Sequence, residues 1–221
     1  MTDNIRVEEI AGERYYNIGN KRYVSVTTPF NILEKHGLNK WIERVGAEEA
    51  KRVCDNASDY GTRVHTFCEK IMLGAESGDL IIPDMHPDFI VAINRFYEWF
   101  TIMVDEVVGV EETVHSDVWG VAGRLDALLV LKGRKKISMC DVKTGQIKKI
   151  ARMQTAAYTG LSTHCSSLTM EDFGDRIIIP LPRGVDKPIK IKEFKAEETA
   201  QDLEAYLGLI TLWRWLKRTG G

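Results

Sequence analysis

The chain has 221 residues, 44% of them hydrophobic, with a formal charge of −2 and a pI near 6.2. That length suits one sizeable domain with a real core. The near-neutral balance does not mark a uniformly basic nucleic-acid binder, and no apolar run approaches the roughly 20 residues of a membrane span.

The start, Met1-Thr2-Asp3-Asn4-Ile5-Arg6, is polar and unlike a signal peptide, which predicts a cytoplasmic protein with no membrane contact. Tyr15 to Val26 reads as a β-hairpin turning at Gly19-Asn20. Residues 39–54 and 57–74 carry helical spacing, the second ending near Gly74, and Pro87 opens another helix through Phe96, Trp99 and Phe100. Three strands follow at 107–114, 121–131 and 137–143, then a helix from about 147 to 161. Residues 176–181 form a further strand, 189–194 an edge strand, and 197–217 a long helix. No internal repeat or low-complexity linker interrupts the pattern. Helices at both ends around a mid-sequence sheet indicate an α/β or α+β domain, and the fold expected is α/β, a central mixed β-sheet flanked by helices. Residues 1–221 read as one domain, with 1–56 as an N-terminal hairpin and helical extension. Cys54, Cys68, Cys140 and Cys165 contain no Cys-x-x-Cys pair, so they lack zinc-ribbon or cluster spacing and read as reduced and structural.

The segments Gly123 to Leu131 and Ile137 to Val142 are too apolar for a half-wet sheet and read as buried central strands. They are joined by Lys132-Gly133-Arg134-Lys135, where Gly133 suits a two-residue type II′ turn. Counting outwards, Asp126 then lies opposite Asp141 and Arg124 opposite Lys143, with Leu125 and Val142 on the other face. Two opposed carboxylates repel unless something positive lies between them, and a divalent cation meets that need. Lys143 returns to the face of Asp141, about 7 Å further on.

From Lys132 to Arg152 the bases Lys132, Arg134, Lys135, Lys136, Lys143, Lys148, Lys149 and Arg152 face the single acid Asp141. Such clustering resembles a phosphate footprint, although Lys135 and Lys136 alone fit a solvated hairpin tip equally well. His65 and Glu69 are four apart on one helical face, as are Gln154 and Tyr158. His65 suits a metal ligand or a satisfied helical histidine; Glu69 suits a ligand, a partner orienting His65, or a solvated surface group. For Gln154 and Tyr158 the competing readings are substrate donors, or a surface amide and a core phenol.

Taken in order, Gly61-Thr62-Arg63-Val64-His65 with Glu69, Gly123-Arg124-Leu125-Asp126, Asp141-Val142-Lys143-Thr144-Gly145 and Gln154-Thr155-Ala156-Ala157-Tyr158 resemble the motifs of the RecB-like branch of the PD-(D/E)xK nuclease superfamily. The opening stretch, with Tyr23-Val24-Ser25-Val26-Thr27-Thr28 and Leu38-Asn39-Lys40-Trp41, is similar to small phage and mitochondrial single-strand exonucleases of that branch. The resemblance implies a restriction-endonuclease-like core and His65, Asp126 and Asp141 as ligands to Mg²⁺ or Mn²⁺, with the Val142 backbone carbonyl completing the site. It implies Lys143 as the group that orients or deprotonates water, and Gln154 and Tyr158 as holders of the substrate strand or of the lysine. Arg124, Lys148, Lys149 and Arg152 are the expected DNA contacts. Some members carry an iron–sulfur cluster, and the cysteine spacings here depart from theirs, so no cluster is expected.

The expected activity is metal-dependent hydrolysis of DNA phosphodiesters from single-stranded or free ends, in recombination, repair or phage DNA processing. The expected setting is a bacterial or phage-infected cell rather than an organellar matrix. The competing readings are a structure-specific or Cas4-like endonuclease, a non-catalytic DNA-binding recombination subunit, and a small-molecule metallohydrolase, which would lack the basic cluster.

Overall fold

A computed structural model describes residues 5–220, the side chains of residues 34–38 excepted. The polar start at residues 1–4 and the side chain of Leu38 lie outside the described residues. The strands are β1 (Ile5–Ile10), β2 (Glu13–Ile18), β3 (Lys21–Ser25), β4 (Val104–Val110), β5 (Thr113–Ser116), β6 (Val121–Arg124), β7 (Ala127–Leu131), β8 (Ile137–Lys143), β9 (Arg176–Pro180) and β10 (Lys192–Phe194). The α-helices are α1 (Asn31–Val45), α2 (Ala47–Met72), α3 (Ser77–Leu80), α4 (Pro87–Met103), α5 (Ile150–Cys165) and α6 (Thr199–Thr219).

The strands form two five-stranded mixed sheets, ordered β1-β2-β3-β6-β5 and β10-β9-β8-β7-β4. In the second sheet, side-chain alternation sends Leu129, Leu131, Cys140, Val142, Ile177 and Ile179 to one face, against Val64, Cys68 and Ile71 of α2 and Ile93 and Phe96 of α4. Leu128 and Met139 point to the other face, where Ala157 and Leu161 of α5 and Tyr206 and Ile210 of α6 cover them. Each fully buried aliphatic or aromatic side chain contributes about 1.5–3 kcal/mol, so the central strands are held from both sides. The result is a mixed α/β protein with helices flanking its sheets.

The first sheet gathers residues far apart in the chain. Gly19 and Asn20 turn β2 into β3 as the sequence predicts, with Ile18 paired to Lys21. β3 then runs parallel to β6, Val24 beside Val121. β1 escaped sequence reading, because Ile5-Arg6-Val7-Glu8-Glu9-Ile10 is charged and largely exposed. Residues 5–25 are thus paired into one sheet with 113–124.

Two differences from the sequence reading bear on the site. The expected single strand 121–131 is broken at Leu125 and Asp126: β6 belongs to one sheet and β7 to the other. Arg124 therefore pairs with Thr113 and not with Lys143. Leu125 likewise enters the core beneath α5 and α6, away from Val142. The turn also differs. Arg134 N–H donates to Leu131 O at 2.9 Å, and Gly133 takes φ +78° at the third position of that turn. A side chain rarely adopts that φ, so glycine is needed there, but one place later in the turn than a type II′ geometry requires. The register survives the longer connection. Val130 faces Ile137 and Ala127 faces Cys140, which puts Asp126 and Asp141 opposite one another at the next step.

The helix boundaries moved for a local reason. Gly46 at φ +87° separates α1 from α2, so the largely exposed residues 47–59 are one continuous part of α2, where the sequence spacing divides two helices at 55–56. That exposed stretch carries surface pairs, among them Arg52–Glu49 at 2.7 Å and Arg63–Asp59 at 3.2 Å. α5 starts at Ile150, which leaves 144–149 as a loop after β8.

Candidate metal centre

The breaks in the two long strands are where the acidic groups meet. β4 leaves the second sheet at Val110 and resumes as β5 in the first, just as β6 and β7 are divided at Leu125–Asp126. The two crossings are tied together by Glu111 N–H to Asp126 O at 2.9 Å and Leu125 N–H to Glu112 O at 3.0 Å. Glu111 has φ +51°, a left-handed conformation that costs a non-glycine residue roughly 1 kcal/mol or more and is held only where its surroundings enforce it.

α2 supplies the imidazole. Tyr60, Val64, Cys68 and Ile71 face the core, and the adjacent stripe of Gly61, His65 and Glu69 lines a cleft of about 670 Å³. A Cβ on Gly61 would lie 3.3 Å from Thr144 Oγ1, so the helix passes close against the loop after β8. His65 Nδ1 is 3.5 Å from Asp126 Oδ1 and 3.9 Å from Glu111 Oε1. Ligand atoms of His65, Glu111 and Asp126 all lie within 4.8 Å of one another. Glu111 was not foreseen. Its sequence signal was a pair of acids, Glu111-Glu112, inside a strand that is otherwise apolar, a pattern that marks a bulge or crossing.

Asp141 stands beside this triad on the central strand. Its carboxylate accepts from Lys143 Nζ at 2.9 Å and from Gln154 Nε2 at 2.9 Å, both on Oδ1. Oδ2 is buried and 2.8 Å from Lys143 Nζ, without the alignment of a hydrogen bond. Lys143 also donates to Gln154 Oε1 at 3.3 Å, closing a ring of three side chains. Asp126 Oδ2 accepts the Val142 N–H at 2.7 Å, so Val142 meets the site through its amide.

Burial crowds these charges. Desolvation and then the Asp126 charge push the Glu111 carboxyl up to about 7. Burial likewise raises Asp141 to about 6, with Lys143 opposing and Asp126 adding to the rise. Burial alone would lower His65, but the Asp126, Asp141 and Glu111 carboxylates outweigh it and raise the imidazole to about 9. Asp126 is held below its usual value although burial opposes it, because His65, Lys143 and the Val142 amide favour its anion. Three carboxylates thus share one imidazole and one ammonium, with the Arg124 guanidinium 2.7 Å from Glu111 on the outer side. The carboxylate oxygens of Glu111 and Asp126 and the imidazole of His65 form a set of donors that could hold a metal ion.

The remaining expected residues fall in different places. Glu69 meets the Arg124 guanidinium at 3.4 Å and is a neighbour of the triad, not one of its members. Tyr158 is largely buried in the wall of the cleft, where it packs on Gly123: a Cβ there would come within 2.7 Å of Tyr158 Cε1 and 2.8 Å of its hydroxyl. Gly123→Ala is therefore expected to cost about 1–3 kcal/mol by overpacking, read as a lowered urea midpoint. An unchanged midpoint would mean that Tyr158 has room to move.

The basic cluster does not form one surface. Lys132, Arg134, Lys135 and Lys136 lie at the far end of β8 from Lys143, roughly 20 Å away at ~3.3 Å per residue. There Lys132 donates to Thr101 O at 2.8 Å and Arg134 pairs with Glu193. Arg152 is engaged by Asp202 at 3.2 Å and Glu198 at 3.1 Å. Lys148 and Lys149 are exposed on the loop before α5. Cys68 and Cys140 are buried and Cys54 and Cys165 exposed, all four as free thiols.

Fold and site together define a mixed α/β protein with a carboxylate–imidazole cluster at the join of two sheets. No family model matches the chain, and no curated protein matches it. Among the described residues no helix is long and apolar enough to cross a membrane.

Proposed function

We propose that the chain is a metal-dependent phosphodiesterase acting on DNA, an exonuclease working from single-stranded or free ends, on a restriction-endonuclease-like core. The observation that supports it most is the convergence of His65, Glu111, Asp126, Asp141 and Lys143 from four separate elements on one cleft. A bound Mg²⁺ or Mn²⁺ would supply Lewis acidity towards water and towards a phosphate oxygen. His65, Glu111 and Asp126 would hold it, with Asp141 beside them. Among the described residues Lys143 is the one ammonium in direct contact with these carboxylates, and its charge would offset the negative charge that a pentavalent phosphorane gathers. Gln154 keeps both Asp141 and Lys143 in place by donating to one and accepting from the other. Burial lowers the Lys143 pKa, but Asp141 and Asp126 more than offset it and favour the ammonium in the metal-free protein.

The test is a time course on 5′- and 3′-labelled single- and double-stranded DNA and on closed circles, with Mg²⁺, Mn²⁺ or EDTA. Mononucleotide release from linear strands, abolished by EDTA, is the expected result. Cutting of closed circles would replace the exonuclease by an endonuclease, and inertness on every polynucleotide would refute the reading.

A further inference from the structure

The β1–β2 ribbon forms a wall of the cleft, and its inner face is both apolar and charged. In the antiparallel register Val7 lies opposite Tyr16 and Glu9 opposite Arg14, so Ile5, Val7, Glu9, Arg14 and Tyr16 share one face. Ile5 and Val7 line the same cleft as His65, Asp126 and Lys143, yet they remain 44% and 51% exposed. Arg14 lines that cleft and also an adjoining groove of about 360 Å³ bounded by Glu9, Thr27, Phe30 and Gln154. Gln154 belongs to both, so the groove leads from the acidic cluster directly past Arg14. Among the described residues no ion pair or side-chain hydrogen bond engages the Arg14 guanidinium, Glu9 included.

We infer that this ribbon face seats an unpaired stretch of the substrate strand, Arg14 on a phosphate and Ile5 and Val7 against bases; the inference rests on the nuclease reading above. Free guanidinium beside exposed apolar surface suits a ligand that alternates anionic and flat apolar parts. A single strand is such a ligand, because its bases can splay from the stack and offer their faces. A duplex hides those faces and presents phosphates, for which an apolar wall has no use. Continuity with the acidic cluster fixes the position: the seat adjoins the bond to be cut.

The test measures binding of a fluorescent twelve-residue oligothymidylate by anisotropy, with Ca²⁺ in place of the catalytic cation. Arg14→Ala is expected to weaken binding about tenfold and to flatten the log–log salt dependence by about 0.7, one phosphate's worth on a single strand. Ile5→Ser with Val7→Ser should weaken it comparably at unchanged slope, while Val7→Leu keeps wild-type affinity. A blunt hairpin duplex should be indifferent to the serine changes. Wild-type affinity in both Arg14→Ala and the serine variant, or no binding by the wild type, overturns the inference. So does a dimer in sedimentation that the serine variant dissolves, because the edge of β1 would then be an interface between two copies. Failure of the nuclease reading looks different: the oligonucleotide binds with this pattern yet is not cut in Mn²⁺.

Discussion

Asp126→Asn is expected to abolish divalent-cation binding and cleavage together, whereas Lys143→Met abolishes cleavage alone. The asparagine is isosteric and its amide oxygen can still accept the Val142 N–H, so the strand crossing is kept while the central negative charge of the triad is lost. Lys143 touches Asp141 and Gln154 but is no member of the triad, so its removal leaves the ligand groups in place and takes away the charge directed at the phosphorane. A loss of about 10³-fold or more in rate is expected for it, the scale on which a positioned electrostatic group acts. Calorimetric titration with Mn²⁺ separates the two variants. Equal affinity in wild type and Asp126→Asn would sink the metal-centre assignment, and a Lys143→Met protein that still cuts would remove the lysine from the mechanism.

In the absence of divalent cation, stability is expected to fall as the pH rises from about 5 to 9. The folded protein raises Glu111 from its usual 4.5 to about 7, chiefly by burial and then through Asp126. Folded protein therefore keeps a proton that the unfolded chain has released, and the associated stability, complete below 4.5, is lost by pH 7. His65 is raised from 6.5 to about 9: burial opposes the rise, but Asp126 and the other carboxylates prevail. Its contribution is complete below 6.5 and is lost on passing 9. Asp141, raised by burial to about 6, acts in the same direction over the acid part of the range. Asp126 acts oppositely, but its lowered pKa confines that effect to pH below about 4. A cation that binds the deprotonated ligands should flatten the decline. Urea midpoints from pH 5 to 9 in EDTA and in saturating Mn²⁺ test this, and Glu111→Gln should shallow the decline below pH 7 to the part that Asp141 contributes. A flat profile in EDTA would mean that the cluster is not the crowded set of charges described above.

What the sequence made legible was what apolar runs and punctuation encode. Ile137 to Lys143 is bounded by charges and emerged as β8 with its bounds intact, and the register of Asp126 against Asp141 followed from counting along two buried strands. Pro87 opened α4, and Gly19-Asn20 made the hairpin. The division at Leu125–Asp126 is easily read through, because Arg124 and Asp126 alternate with Gly123, Leu125 and Ala127 as they would along one strand. Without that crossing Glu111 had no reason to be singled out, since its carboxylate reaches His65 only through the left-handed backbone at the parallel crossing of β4 into β5. The basic cluster misled for a related cause: nearness in sequence says nothing about opposite ends of a hairpin, and the acids that engage Arg152 lie about fifty residues downstream.

The parallel pairing of β3 with β6 also sets the order in which the molecule can be built. Val24 pairs with Tyr15 on one side but has no neighbour on the other until Val121 has been made, so more than half of the 221 residues must leave the ribosome before the first sheet can close. Pairings so distant in sequence are slow to form, since the loop-closure entropy is spent before the contacts repay it. Until then the β3 edge of the β1–β2–β3 meander stays open as well as its β1 edge. The cleft wall is therefore begun by the earliest residues synthesised but can be completed only when residues 113–124 have been made, just ahead of Asp126 and Asp141.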